Sequence, residues 1–120
     1  MKIAVTSQGK TPDSAVDPRF GRARHFLLFD TETGELAVVD NAQNLNAPQG
    51  AGIQAAETVV RMGAEAVLTG NVGPKAFATL QAGNVAVCTG ASGSVHEAIK
   101  RFQSGQLQSV AKANVSGHWA

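Results

Sequence analysis

Three glycine-rich turns are the parts of this chain best suited to binding chemistry. Each leads directly into a helical pattern, and the three cover residues 48–52 (PQGAG), 69–74 (TGNVGP) and 89–94 (TGASGS). The first N–H groups of a helix lack partners within the helix and favour an anion, while glycine lets a ligand approach the backbone closely. We therefore predict that three helix N-termini surround one anion-binding cleft, with hydroxyl groups from Thr69, Thr89 and Ser92. For each turn taken alone, the alternative is an ordinary strand-to-helix connection.

An arginine cluster at 19–24 (RFGRAR) is the second feature with chemical potential. Arg19, Arg22 and Arg24 lie together in a chain with 10 basic residues, 9 acidic residues and a net charge of +1. This balance gives no general field for steering nucleic acid or an acidic membrane, so neither is expected as a partner. The local cluster predicts a positive wall for the cleft, and the alternative is a solvated loop.

Signals for catalysis and for metal coordination are weak. Residues 73–76 (GPKA) lack the glycine-lysine-serine/threonine order of a P-loop, and the first strand carries no carboxylate for a two-metal site. No nucleophile and base lie together at the proposed cleft, so we predict a protein that is not an enzyme. The histidines match no metal-binding spacing, and no direct protein ligand to a metal is predicted. If a side chain did bind a metal directly, the candidates would be His25 and the single cysteine, Cys88.

The elements that position these turns follow from changes in periodicity. Short apolar runs predict strands at 2–6, 64–69 and 84–89, and two further runs predict a hairpin of 25–30 and 35–40. Amphipathic patterns predict helices at 53–62, at 74–81 and after a capping box at 94–97. We expect an α/β fold, with the first strand central in a mixed five-stranded sheet and helices on both faces. The glycine turns then lie beyond the carboxyl ends of parallel strands.

A single α/β binding domain at 1–105, followed by a tail at 106–120 without a clear pattern, is the expected organisation. Hydrophobic residues make up 43% of the chain and charged residues 16%, which favours a folded globular domain. The first residues are too short an apolar run for a signal peptide, and no later stretch is long enough to span a bilayer. A cytoplasmic protein is therefore expected.

Short motifs spread over nearly the whole chain carry a family resemblance. They are MKIAV at 1–5, FGRA at 20–23 before FLLFD at 26–30, GAG at 50–52, GNVGP at 70–74, and GA at 90–91 before VHEA at 95–98. As a set they resemble the nitrogenase iron-molybdenum cofactor biosynthesis family of small accessory and cofactor-carrier proteins. The resemblance implies a ribonuclease H-like α/β fold and a protein that binds or ferries a metal–sulfur cluster.

Two positions depart from the family pattern. Members often carry histidine just before the Phe-Gly-Arg motif and just before the Gly-Ala-Gly turn, where this chain has Arg19 and Gln49. The departures favour backbone amides and cations, as in a family member that holds a molybdenum–copper sulfide cluster without covalent protein ligands. The resemblance therefore implies a molybdenum-containing metal–sulfide cluster, with copper as a second metal, and a cluster-donor or cluster-acceptor protein as partner.

The residues expected to hold such a cluster belong to the glycine turns and the arginine cluster. They are Arg19, Phe20, Gly21, Arg22, Arg24, Gly50, Gly52, Thr69, Gly70, Asn71, Val72, Gly73, Thr89, Gly90, Ala91 and Ser92. Valine at Gly70 or Gly73 is expected to block binding and to leave the domain folded. The alternative from another class is a regulatory or assembly module that binds a partner protein or a simple anion such as phosphate.

Overall fold

The computed structural model describes residues 1–43 and 50–115. Its strands are β1 (Lys2–Ser7), β2 (His25–Asp30), β3 (Leu36–Asp40), β4 (Ala66–Leu68) and β5 (Ala86–Cys88). Its helices are α1 (Ala51–Arg61), α2 (Pro74–Ala82) and α3 (Val95–Gln103), and a short 3₁₀ helix covers Phe20–Arg22. Among the described residues, no helix is both long enough and apolar enough to cross a membrane.

The five strands form one mixed sheet in the order β3-β2-β1-β4-β5. Strand β1 pairs antiparallel with β2 and parallel with β4, and it lies at the centre as predicted. The β2–β3 pair is antiparallel and the β4–β5 pair is parallel. The predicted α/β fold, with an antiparallel hairpin half and a parallel half, is therefore confirmed.

Alternation along the strands divides the core into two layers, because successive side chains point to opposite faces of a sheet. Ala4, Phe26 and Val67 contribute to the layer beneath α1 and α2. Ile3 and Leu68 contribute to the layer beneath α3. Helices α1 and α2 therefore share one face of the sheet, and α3 lies on the other.

Residues 106–115 form neither helix nor strand, but they pack against the domain. The N–H group of Val110 donates a hydrogen bond of 2.8 Å to the carbonyl of Val87 on the edge strand β5. Val110 and Ala113 also pack against the core layer beneath α1 and α2. The described part of the tail therefore runs along the open side of β5 toward the carboxyl ends of the parallel strands.

Candidate functional site

The long loop at 8–24 connects the segments that the sequence assigns to the site. Its first half runs beside the start of α3, where the N–H group of Val16 donates to Gly93 O at 2.9 Å. Its second half meets the turn between β4 and α2, where Asn71 N donates to Pro18 O at 2.8 Å and Phe20 N donates to Asn71 O at 3.1 Å. The loop therefore lies across the carboxyl ends of the parallel strands and joins the turns at 69–74 and 89–94.

The first turn of α3 has no free donors for a ligand. Ser94 and Glu97 form a capping box, in which Glu97 N donates to Ser94 Oγ at 3.1 Å and Ser94 N donates to Glu97 Oε1 at 3.0 Å. The N–H groups of Val95 and His96 donate to carbonyls of the 8–24 loop at 2.9 and 3.0 Å. The prediction that three helix N-termini share one cleft is therefore wrong for α3, whose donors are satisfied within the chain.

The first turns of α1 and α2 differ from that of α3. Their N-cap residues are Gly50 and Gly73, and neither residue provides a side-chain cap. Pro74 occupies the first position of α2, where its missing N–H group costs nothing. Because α1 leads into β4 and α2 follows it, both N-termini lie at the carboxyl edge of the sheet. Neither glycine caps its helix, so within residues 1–43 and 50–115 both termini on this face keep the positive end of the helix dipole and are suited to an anion.

The arginine cluster combines three exposed, charged side chains with two buried residues of the 3₁₀ helix. Arg19, Arg22 and Arg24 are exposed. The Phe20 side chain between them is fully buried and packs on Phe26, with ring centroids 5.8 Å apart. Gly21 is also buried. The aromatic ring therefore anchors the 3₁₀ helix to the core, and the guanidinium groups remain at the surface.

Two side-chain amides that sequence reasoning missed hold the arginine cluster in place. Gln43 Nε2 donates to Gly21 O and to Ala51 O, each at 2.9 Å, and so ties the 3₁₀ helix to the start of α1. Asn41 Nδ2 donates to Ala23 O at 2.8 Å. Both amides lie in a polar stretch without periodicity, so the sequence offered no signal for them beyond their type. They place the arginine cluster beside the N-terminus of α1.

The turn at 69–73 is held by its neighbours on three sides. A Cβ atom at Gly70 would lie 2.7 Å from Pro18 Cα and 2.9 Å from Pro18 O, so this glycine provides room for the 8–24 loop. The N–H groups of Asn71 and Val72 donate to Pro18 O and to Asn114 Oδ1, each at 2.8 Å. Valine at Gly70 would therefore displace the loop, and it cannot serve as the clean test of binding that the sequence suggested.

Two other residues of this turn point into the core. Thr69 is fully buried, and its hydroxyl group accepts a hydrogen bond of 2.9 Å from Thr6 Oγ1. Val72 is also fully buried. Their side chains support the wall of the site from behind and do not face outward.

The turn at 89–92 connects the ends of β4 and β5. The N–H groups of Gly90 and Ala91 donate to Gly70 O and Thr69 O at 2.9 and 3.0 Å. Ala91 is buried and Thr89 half-buried, whereas Gly90 and Ser92 are exposed. Ser92 O accepts a hydrogen bond of 3.3 Å from Arg101 Nη1 of α3. This turn therefore fixes the base of the site more than it provides donors.

The candidate metal ligands do not form a cluster. His25 Nδ1 lies 2.9 Å from Asp40 Oδ1, across the β2–β3 pair. Cys88 is fully buried, and burial raises the pKa of its thiol to about 11, which disfavours the metal-binding thiolate. Within 1–43 and 50–115, no group of three or more His, Cys, Asp or Glu side chains could hold a metal ion. Gln49 and the histidine at 118 lie outside the described residues.

The described site thus combines two uncapped helix N-termini with three exposed arginines. Backbone N–H groups and guanidinium groups are donors and cations, and none of them can ligate a bare metal ion. Such a site is suited to an anion.

Comparisons with known proteins agree with this architecture. A high-resolution structure of the apo form of the orange protein from Desulfovibrio gigas gives a TM-score of 0.90 at 43% identity, over 95% of this chain and 96% of that chain. The NMR structure of a DUF35-family protein from Thermotoga gives a TM-score of 0.80 at 35% identity, over 97% of this chain and 98% of that chain. An uncharacterized protein of Methanocaldococcus jannaschii is 30% identical over 111 residues, which is 90% of each chain.

The family itself is shown by a match over most of the chain. Residues 1–105 match the family model described as dinitrogenase iron-molybdenum cofactor. The matched region contains all five strands and all three helices of the described structure, together with every residue predicted for the site. This chain therefore belongs to the dinitrogenase iron-molybdenum cofactor family.

Proposed function

We propose that this protein is a non-enzymatic carrier of an anionic metal–sulfur cluster. The observation that carries the proposal is the pairing of two uncapped helix N-termini with the exposed Arg19, Arg22 and Arg24. Membership of a family named for the iron-molybdenum cofactor supports molybdenum as a constituent. The likeness to the orange protein, whose apo form has a solved structure, supports a cargo that the folded protein can lack.

The chemistry of the donors fits such a cargo. Bridging and terminal sulfides complete the coordination of the metals, so the cluster presents an anionic surface that accepts hydrogen bonds. The first-turn N–H groups of α1 and α2 provide donors, and the arginine cluster provides positive potential. We take the cargo to be a molybdenum-containing sulfide cluster with copper as its second metal, delivered by or passed to a partner protein.

Roles within the proposed site divide by exposure. Exposed Gly50 and buried Gly73 are the N-caps of the two helices, and Gly52 lies buried in the first turn of α1. Exposed Gly90 and Ser92 and half-buried Thr89 belong to the turn at 89–92, which is hydrogen-bonded to the turn before α2. The remaining residues form the supporting wall: Phe20, Gly21, Thr69, Gly70, Asn71, Val72 and Ala91.

The test is reconstitution of the purified protein with tetrathiomolybdate and copper, followed by visible absorbance. We expect protein-dependent charge-transfer bands. Replacing Arg19, Arg22 and Arg24 together by glutamine should weaken binding about tenfold, since three surface cations contribute about 0.5 kcal/mol each. Replacing Lys2, Arg61 and Lys100 by glutamine removes the same charge elsewhere and should leave the bands unchanged.

Two results would contradict the proposal. One is an absence of protein-dependent bands under conditions where the wild-type chain is folded. The other is a site triple whose bands are unchanged, or one that loses no more binding than the control triple, which would reduce the effect to net charge. Calorimetry with phosphate tests the alternative of a simple-anion module, because a cluster carrier should prefer the larger, softer thiomolybdate.

A further inference from the structure

The tail segment 107–115 reaches the proposed site from outside the region that matches the family model. That match ends at residue 105, so nothing in it assigns a role to these residues. The segment is anchored at Val110, whose N–H group donates to Val87 O at 2.8 Å, and at Ala113, which packs on the core beneath α1 and α2. It therefore places Asn114 beside the turn that leads into α2.

Asn114 uses both ends of its side-chain amide on that turn. Its Oδ1 accepts a hydrogen bond of 2.8 Å from Val72 N, and its Nδ2 donates to Gly70 O at 3.2 Å and to Asn71 Oδ1 at 3.1 Å. The backbone of Asn114 also donates to Val72 O at 3.3 Å. One residue thus contacts three consecutive residues immediately before the N-cap of α2.

These contacts act on the direction of the α2 N-terminus. The 8–24 loop holds the turn through Pro18, and the turn at 89–92 holds it through Gly90, which donates to Gly70 O at 2.9 Å. Asn114 holds the remaining side and satisfies the Val72 N–H group one residue before the N-cap Gly73. A small rotation of this turn would redirect the first-turn donors of α2, because they follow it directly in the chain.

We propose that Asn114 is a positioning residue of the cargo site, delivered by the tail segment 107–115. This inference rests on the proposed function, since it concerns the donors that α2 offers to the anionic cluster. Asn114 fixes the turn at 70–72, and the first turn of α2 then meets the cluster from a set direction. The carboxamide is also neutral, so it closes this side of the site without placing a negative charge beside an anion.

The experiment compares three full-length variants with the wild-type chain in titrations with tetrathiomolybdate and copper. Asn114→Ala removes the side-chain contacts and should weaken binding about tenfold, the size expected for the loss of one or two hydrogen bonds. Asn114→Asp keeps the acceptor for Val72 N–H but adds a negative charge. The matched control is Gln108→Ala in the same tail, because Gln108 Nε2 donates only to Gly105 O, at 3.3 Å, among the contacts described.

Affinities measured at several ionic strengths separate a positioning role of Asn114 from a general loss of structure in its variants. Asn114→Asp should bind more weakly than Asn114→Ala at low ionic strength, and the difference should shrink as salt screens the added charge. Backbone amide signals of residues 70–73, 75 and 76 in nitrogen–proton correlation spectra should move in Asn114→Ala and remain in place in Gln108→Ala. A merely structural role would lower the thermal midpoint without this dependence on salt.

The possible failures are distinct. Wild-type protein without charge-transfer bands overturns the proposed function, and this inference with it. Wild-type bands together with unchanged affinity in Asn114→Ala overturn this inference alone. Increased affinity in Asn114→Ala also overturns it, because Asn114 would then be occupying a donor that the cargo needs.

Discussion

Gly70 allows a sharp test of how the site is assembled. Its Cα lies so close to the 8–24 loop that a Cβ atom would be 2.7 Å from Pro18 Cα and 2.9 Å from Pro18 O. Both neighbours are backbone atoms, so a rotamer change cannot relieve the clash. Pro18 O also accepts two hydrogen bonds from Asn71, at 2.8 Å from the backbone N and 3.0 Å from Nδ2. In Gly70→Ala the loop must move, and these bonds must lengthen.

The expected cost follows from these contacts. Adding one methyl group to a tightly packed position costs about 1–3 kcal/mol. Weakening two hydrogen bonds adds about 1 kcal/mol in total, because water replaces part of the hydrogen bonding that each pair loses. We expect the free energy of unfolding of Gly70→Ala to fall by about 2–4 kcal/mol, against a typical total of about 5–15 kcal/mol. The variant should therefore remain folded at room temperature, and the urea concentration at its unfolding midpoint should be lower than that of the wild-type chain.

Urea unfolding followed by circular dichroism measures this difference. Gly50→Ala is the matched control, since Gly50 is exposed and a Cβ atom there would have no neighbour within 4 Å among the residues that the structure describes. As an N-cap change, it should cost no more than about 1 kcal/mol. If both variants lost the same small free energy, or if Gly70→Ala lost less than about 0.5 kcal/mol, the close approach of loop and turn would be refuted.

Two further predictions concern groups outside the cleft. Burial raises the pKa of the Cys88 thiol to about 11, so only about 0.1% of the thiol is ionised at pH 8. The reaction of Cys88 with a disulfide reagent should therefore be roughly a hundredfold slower in the native protein than in denaturant. Rapid labelling of the native protein would contradict this prediction, because it would show that the thiol is accessible. Hydrogen bonds from the Ser94 backbone and side chain lower the pKa of Glu97 in the folded state. The Glu97 carboxylate therefore stabilises the fold at pH values above its unfolded-state pKa, and this stabilisation is lost as the pH falls through its folded-state pKa. The stability difference between wild type and Glu97→Gln should shrink between about pH 6 and pH 3, and a constant difference would contradict the capping role.

The fold could be predicted because most elements carry a local signal. Pro74 marks the first position of α2, and the capping box of Ser94 and Glu97 marks the start of α3. Gly63 and Gly105 follow the ends of α1 and α3 with φ values of 80° and 82°, as left-handed C-terminal residues do. These signals depend on neighbours in the sequence, so no knowledge of the tertiary structure is needed to read them.

The arrangement of the site was less predictable, because its contacts are distant in sequence. Pro18 meets Gly70, and Asn114 meets Val72, yet each pair joins segments without periodicity. Gln43, which ties the arginine cluster to α1, is one amide among several in a polar stretch. Which amide reaches which carbonyl is decided by the packed chain.

The orientation of Thr69 could have been found from alternation. Val67 faces the core layer beneath α1 and α2, so Thr69, two residues later, points to the same face if the strand continues. Thr6 follows Ala4 by the same rule in the neighbouring strand. Their hydroxyl groups accordingly meet in the core at 2.9 Å. Reading the alternation one step past the strand end would have removed the Thr69 hydroxyl group from the ligand-facing set.

The three helix starts also show what separates a donor site from a sealed terminus. All three follow glycine-rich turns. The Ser94 hydroxyl group accepts a hydrogen bond from Glu97 N in the first turn of α3, whereas Gly50 and Gly73 have no side chain that can do so. The Ser94 cap uses the Glu97 N–H group, and carbonyls of the 8–24 loop use those of Val95 and His96, so these contacts separate the helix starts better than the glycine content of the turns does. Because the starts with glycine N-caps belong to α1 and α2, the proposed anionic cargo would approach the edge of the sheet on their face. The arginine cluster lies on that face beside α1, where its charge can act on the same ligand.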